Sequence, residues 1–138
     1  MTHKALNLLS LSRKGGNIEL GEEPVGACCR GNHARLLILA SDAGDNVRRR
    51  ASSFTAHYNT PLVTAPFTKE ELGMALGRNV CAIACLSDVQ LAQAFVKALD
   101  SPEQYAKLLA DLETRVARVK QRRQEEKAHR NNVKHGKK

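Results

Sequence analysis

Tryptophan is absent, and two tyrosines with three phenylalanines are the whole aromatic complement of 138 residues. Proteins that read single-stranded nucleic acid by stacking its bases need aromatic platforms, so that mode has almost no side chains to work with. Long apolar runs are missing too, with nothing approaching the roughly 20 residues that span a bilayer. Leu6, Leu8, Leu9 and Leu11 are interrupted by Asn and Ser, lack a small-residue cleavage site, and are followed by Arg13 and Lys14. They predict one face of a helix and not a secretory signal. His3, His33, His57, His129 and His135 stand in no His-Glu-x-x-His or paired-carboxylate context, which argues against hydrolase or nuclease chemistry and leaves no catalytic residue to name. The cysteines do not make a metal site either. Cys81 and Cys85 fall on one face of an expected strand about 13 Å apart at ~3.3 Å per residue, and Cys28 and Cys29 point different ways from a helix. Buried free thiols, no cofactor, and a reducing compartment such as the cytoplasm are the expectation.

What is present is a charge asymmetry. The net +8 resides entirely in the last 24 residues: positions 1–114 hold 12 basic and 12 acidic side chains, whereas positions 115–138 hold 10 basic and 2 acidic ones. A cationic arm on a neutral body attracts polyanions, because each Lys or Arg that neutralises a phosphate releases a condensed counterion.

The body has the length for one core. Its pattern alternates. Ala5 to Ser12 predicts a short helix stopped by Gly15-Gly16, and Asn17 to Leu20 an extended piece. A helix should open at Gly21-Glu22-Glu23-Pro24 and end near Gly31-Asn32. Leu36 to Ala40 has the uninterrupted apolar character of a strand covered on both faces. Ser41 to Asp45 should cap a helix that runs to Tyr58 and breaks at Asn59-Thr60-Pro61. A short strand at Leu62 to Ala65 precedes a capping box at Thr68 to Glu71. A strand is expected over Val80 to Leu86, then a helix capped at Ser87 to Gln90 and reaching Leu99. This cadence predicts an α/β sandwich with a mixed or mostly parallel sheet over residues 1–100. Residues 101–138 should form a C-terminal helix, opened at Ser101-Pro102-Glu103-Gln104, that runs into a basic, partly disordered tail. Its stripe of Tyr105, Leu108, Leu109, Leu112, Val116 and Val119 holds about two heptads, too few for a persuasive coiled coil, and should pack back onto the body.

Leu36 to Asp88 carries a resemblance. An apolar strand ends in Asp42, and Asn46 precedes Arg48 to Arg50 on a helix. A Tyr-Asn-x-Pro turn follows at Tyr58 to Pro61, then a Leu-Gly-x-x-x-Gly helix from Leu72 to Gly77. With Gly21-Glu22-Glu23, this ordered set resembles the bacterial YlxQ-like proteins of the ribosomal L-seven-Ae superfamily over residues 4–99. The resemblance implies a three-layer α/β/α sandwich with a mixed four-stranded sheet, and RNA as ligand. The kink-turn binders of that family meet RNA through an Asn-Glu-x-x-Lys set at the start of the second helix. Those positions fall on Glu23, Pro24 and Ala27, so none of the three is retained. A carboxylate about 4 Å from a phosphate is repelled by about 4 kcal/mol at an effective dielectric of 20.

The expected function is therefore non-enzymatic binding of a structured RNA, ribosomal RNA included, by shape and phosphate contact, alongside the translation or ribosome-assembly machinery. The candidate RNA-binding residues are Arg13, Lys14 and Gly15, Arg78 in the turn before the last strand, and the arm residues Arg115, Arg118, Lys120, Arg122, Arg123, Lys127 and Arg130. Arginine grips phosphate bidentately and lysine acts as a point charge; such contacts position a ligand without specifying its sequence. Arg48, Arg49 and Arg50 point about 100° apart on their helix and are expected to form a solvent face. The competing function is a protein-interaction adaptor of the translation or transcription machinery. It would dock a ribosomal protein or translation factor on the Leu108-Leu109-Leu112 stripe and have no membrane role.

Overall fold

The computed structural model describes residues 3–135. Ten elements follow in order: α1 (Lys4–Lys14), β1 (Ile18–Leu20), α2 (Glu22–Arg30), β2 (Leu36–Leu39), α3 (Asp45–Tyr58), β3 (Leu62–Thr64), α4 (Lys69–Ala75), β4 (Ile83–Leu86), α5 (Val89–Ala98) and α6 (Ala106–His135). The strands form one sheet in the order β1-β4-β2-β3. β4 runs antiparallel to both β1 and β2, and β2 and β3 are parallel. The sheet is mixed, as expected. α2 and α3 pack together, α1 packs on α4 and α5, and α6 lies on α5.

Burial explains the strand sequences. The two inner strands, β2 and β4, are buried at every position, which is why both are unbroken apolar runs. The edge strand β1 alternates, with Glu19 exposed between buried Ile18 and Leu20.

Several boundaries differ from the sequence-based expectation. The last strand starts at Ile83 and not at Val80, because the preceding segment belongs to α4: Cys81 N–H donates to Lys69 O at 2.8 Å, and Val80 is 52% exposed. Asp42 does not cap α3, whose N-cap is Gly44 without a side-chain bond. Its Oδ1 instead accepts from Lys69 N–H at 2.8 Å, so it caps α4 from 27 residues away. The expected box on α4 is present, with Thr68 and Glu71 bonding each other's backbone N–H groups. For α5 the cap is Asp88, whose carboxylate accepts from Gln90 and Leu91, and not Ser87. Residues 102–105 form a turn before α6 begins. α6 then stays helical through His135, well past Arg123 and across Asn131, where a disordered tail was expected. Met1, Thr2 and residues 136–138 lie outside the described residues.

The Leu-Gly-x-x-x-Gly pattern has a steric basis. A Cβ on Gly73 would lie 2.8 Å from both Arg78 O and Val80 Cα. The 77–80 turn therefore crosses directly over α4, and Gly77 supplies its φ of 74°. Gly73→Ala is expected to destabilise the protein by about 1–3 kcal/mol through forced displacement of backbone. Gly44→Ala, with nothing within 4 Å and an extended backbone, should cost less, about 0.5 kcal/mol, because alanine is a poorer N-cap than glycine. Urea denaturation of the two variants checks the contrast.

Candidate nucleic-acid interface

The sheet has two ends that differ in charge. At the Ile83 end, Gly21 N–H donates to Ile83 O at 3.0 Å and places the first turn of α2 there. Glu22 and Glu23 in that turn face Arg50, at 4.0 and 3.7 Å respectively, and the Arg50 guanidinium lies 5.6 Å from the Phe54 ring centroid. Arg48 donates to Ala43 O and Ser41 O, and Arg49 to Asp45 O and Asn46 Oδ1. The three consecutive arginines thus point three ways, as helix geometry requires, and each is engaged by the body. Arg50 opposes the two carboxylates at this end.

At the Leu86 end, Arg35 N–H donates to Leu86 O and Ser87 N–H to Asn17 O. The four residues of β4 put the two ends about 10 Å apart. The Lys14-Gly15-Gly16 turn belongs to the Leu86 end through Asn17. Gly15 has a local role there: it closes α1 by donating to Leu11 O, and a Cβ would meet the Asn17 amide at 2.9 Å. Arg78 lies in the exposed turn that leads toward Ile83. Burial pushes the Cys81 thiol up while the charges of Arg78 and Arg13 pull it down, so both candidates stand within electrostatic reach of Cys81. The structure does not bring Arg13 and Arg78 onto the same element as the arm.

α6 is held by its apolar face. Leu112 and Val116 are buried, and Leu108, Leu109 and Val119 are packed partly against the core. The stripe that would dock a partner in an adaptor is thus largely covered by the body. Arg115 fixes the helix further: Nε is 3.0 Å from Asp111 Oδ1, and Nη2 donates to Asn59 O at 3.1 Å. Asn59 is the left-handed C-cap of α3, where a cation is favoured by the helix dipole. This candidate therefore acts first as an anchor.

Beyond Val119, every side chain from Lys120 to Arg130 is exposed. At 100° per residue, Lys120, Arg123, Lys127 and Arg130 fall within one sector of about 80°, the sector that holds Leu112 and Val116 one and two turns earlier. The apolar seam of α6 is continued past the body as a basic stripe. Arg118 and Arg122 lie on the neighbouring sector with Arg115. Together with Asn32 and Arg35 of the turn between α2 and β2, these three arginines line an open cavity of about 210 Å³. Arg35 was missed from sequence because it is an isolated basic residue in a neutral segment; only the fold puts it beside the arm.

All four cysteines are buried and free. Burial is the largest influence on each thiol and pushes all four up; Cys85 is raised furthest, with the Cys28 thiol beside it as the next cause. No group of three or more metal-ligating side chains occurs among the described residues. No helix among them is long and apolar enough to cross a membrane.

Comparison with known proteins places this geometry. No family model matches the sequence. The chain is 28% identical over 75 residues to the RNA-binding protein YlxQ of Enterococcus faecium, an alignment that covers 54% of this chain and 72% of the relative. A Bacillus halodurans C protein of unknown function has a similar fold, with a TM-score of 0.66 and 24% identity over 72% of this chain and 99% of the other. So does the 15.5kD RNA binding protein of Giardia lamblia, with a TM-score of 0.57 and 19% identity over 72% of this chain and 84% of the other.

The raised thiol pKa values set an alkaline limit. A thiol that ionises only in the unfolded chain favours unfolding once pH exceeds its ordinary value near 9. Its stabilising contribution is complete below that pH and is lost above it, by up to about 1.4 kcal/mol per pH unit per thiol. Denaturant midpoints should hold between pH 7 and 8.5 and fall by pH 10, and iodoacetamide should label the native protein far more slowly than the urea-unfolded one.

Proposed function

For a YlxQ-like chain built on an L-seven-Ae-like sandwich, we propose non-enzymatic RNA binding in which a rigid basic helix supplies the affinity. The observation that carries this is the continuation of the α6 seam, where Lys120, Arg123, Lys127 and Arg130 take over the sector that Leu112 and Val116 use to seat the helix. Because α6 is anchored, its cations are held at fixed positions and a polyanion need not order a flexible tail to reach them. The helix runs about 24 Å beyond Val119 at 1.5 Å per residue, enough to follow several phosphates. The neutral body adds no long-range repulsion, and the scarcity of aromatic residues favours phosphate and shape contacts over base stacking.

A structured RNA is the ligand, ribosomal RNA foremost, and the setting is the cytoplasmic translation or ribosome-assembly machinery. The name of the Enterococcus relative supports RNA as the ligand, and the fold shared with the Giardia RNA binding protein is compatible with it. The kink-turn mode is not part of the proposal, since Glu23, Pro24 and Ala27 stand where that mode needs its polar triad and Glu22 and Glu23 present carboxylates. Of the other candidates, Arg13, Lys14 and Arg78 are exposed and serve as secondary phosphate contacts.

Truncation at Thr114 would remove Val116 from the core, so substitution in the full chain is the cleaner experiment. A variant carrying Lys120→Gln, Arg123→Gln, Lys127→Gln and Arg130→Gln should retain its helical content by circular dichroism. It should bind a labelled rRNA hairpin at least about tenfold more weakly at 0.1 M salt. The slope of log K against log salt should fall by about 3, from 0.7–0.9 released ions per neutralised phosphate. An unchanged slope would overturn the proposal.

A further inference from the structure

The cavity between α6 and the turn joining α2 to β2 lies at the Leu86 end of the sheet, away from the Glu22-Glu23 turn, and its lining is cationic on two banks. One bank is the body's Arg35, whose Nη1 donates to Asn32 O at 2.9 Å and Ala34 O at 3.3 Å, while Nη2 and Nε have no hydrogen-bond partner among the described residues. The other is the α6 sector of Arg115, Arg118 and Arg122. Asp111 is committed to Arg115 at 3.0 Å, and the Asp88 carboxylate to the first N–H groups of α5. Among the described residues, Arg35, Arg118 and Arg122 have no carboxylate within 4.0 Å. Three guanidinium groups held around one open cavity repel each other unless an anion enters between them.

The spacing identifies the anion. Arg118 and Arg122 are one helical turn apart, about 6 Å along the axis, comparable to successive phosphates on one nucleic-acid strand. Arg35 faces them from the opposite bank and would close on the same strand from its other side. We propose that this groove is a second, distinct RNA contact: a phosphodiester clamp in which Arg35 and the Arg118-Arg122 pair hold adjacent phosphates of one strand, with Arg115 and Asn59 fixing the distance between the banks. The clamp rests on the RNA-binding proposal above and deepens it, because it sets where on the body the strand that α6 recruits must run. Its contact is bidentate, so lysine should substitute poorly for Arg35.

The test uses full-length protein and the same labelled rRNA hairpin. Arg35→Gln and, separately, Arg118→Gln should each weaken binding several-fold and lower the salt slope by about 1, as a lost phosphate contact does. Arg35→Lys should recover only part of the loss. The two Gln substitutions combined should cost less than the product of the single effects, because they share one ligand. Arg49→Gln removes the same charge from the far side of the body and should change affinity less than about twofold. If Arg35→Gln and Arg118→Gln behave like Arg49→Gln while the intact chain binds, the clamp is overturned and the RNA proposal stands. If the intact chain ignores the hairpin at low salt, the RNA proposal fails and the clamp with it. Should Arg35→Gln lower the melting temperature through its lost carbonyl bonds, the exposed Arg118→Gln variant decides.

Discussion

The seating of α6 on α5 is the constraint on which the electrostatic organisation depends. Leu112 and Val116 are buried and Arg115 ties the helix to the C-terminal end of α3, so most of the chain's excess of positive charge is carried by an element whose position is set by core packing. A flexible tail of the same composition would bring the same counterions but would lose more conformational entropy on binding. Anchoring also gives the arm a direction. Its inner sector is apolar where the body supports it and basic where it does not, and the change falls at Val119, where the body ends.

The body is organised to stay electrically quiet. Arg48, Arg49 and Arg50 could be taken from sequence as a nucleic-acid patch, yet each closes a local bond: carbonyls of the β2–α3 loop for Arg48, Asn46 for Arg49, and Glu22 with Glu23 for Arg50. The Arg50 ion pairs are solvent-accessible and contribute little to stability. Their effect is on the field, since the N-terminus of α2 is occupied by carboxylates that the fold itself opposes with Arg50. The proposed clamp and basic stripe lie away from those carboxylates, at the other end of the sheet and on the arm.

Much of the architecture was legible because it is written locally. The buried runs Leu36 to Leu39 and Ile83 to Leu86, the breaks at Gly15-Gly16 and Asn59-Thr60-Pro61, and the box at Thr68 and Glu71 depend on near neighbours. The errors came where a distant partner intervenes. Val80 and Cys81 have strand-like composition but pair with α4, because Gly73 lets the turn fold directly over the helix. Asp42 was read as a cap for the helix following it, whereas it caps α4 across 27 residues. The extent of α6 was underestimated for another reason: the tail loses apolar periodicity after Val119 and was read as only partly ordered, although Glu, Arg, Lys and Gln are strong helix formers in their own right.

The order of residues by itself determined the alternation of elements, the neutrality of the body and the polarity of the arm, because charge and periodicity add up along the chain whatever its path. Only the tertiary structure decided which cations are spoken for and which stand open. Arg35 and Arg118 lie more than eighty positions apart in the chain, and the partner a guanidinium finds at that distance is set by how helices pack on a sheet, a property that no local pattern encodes.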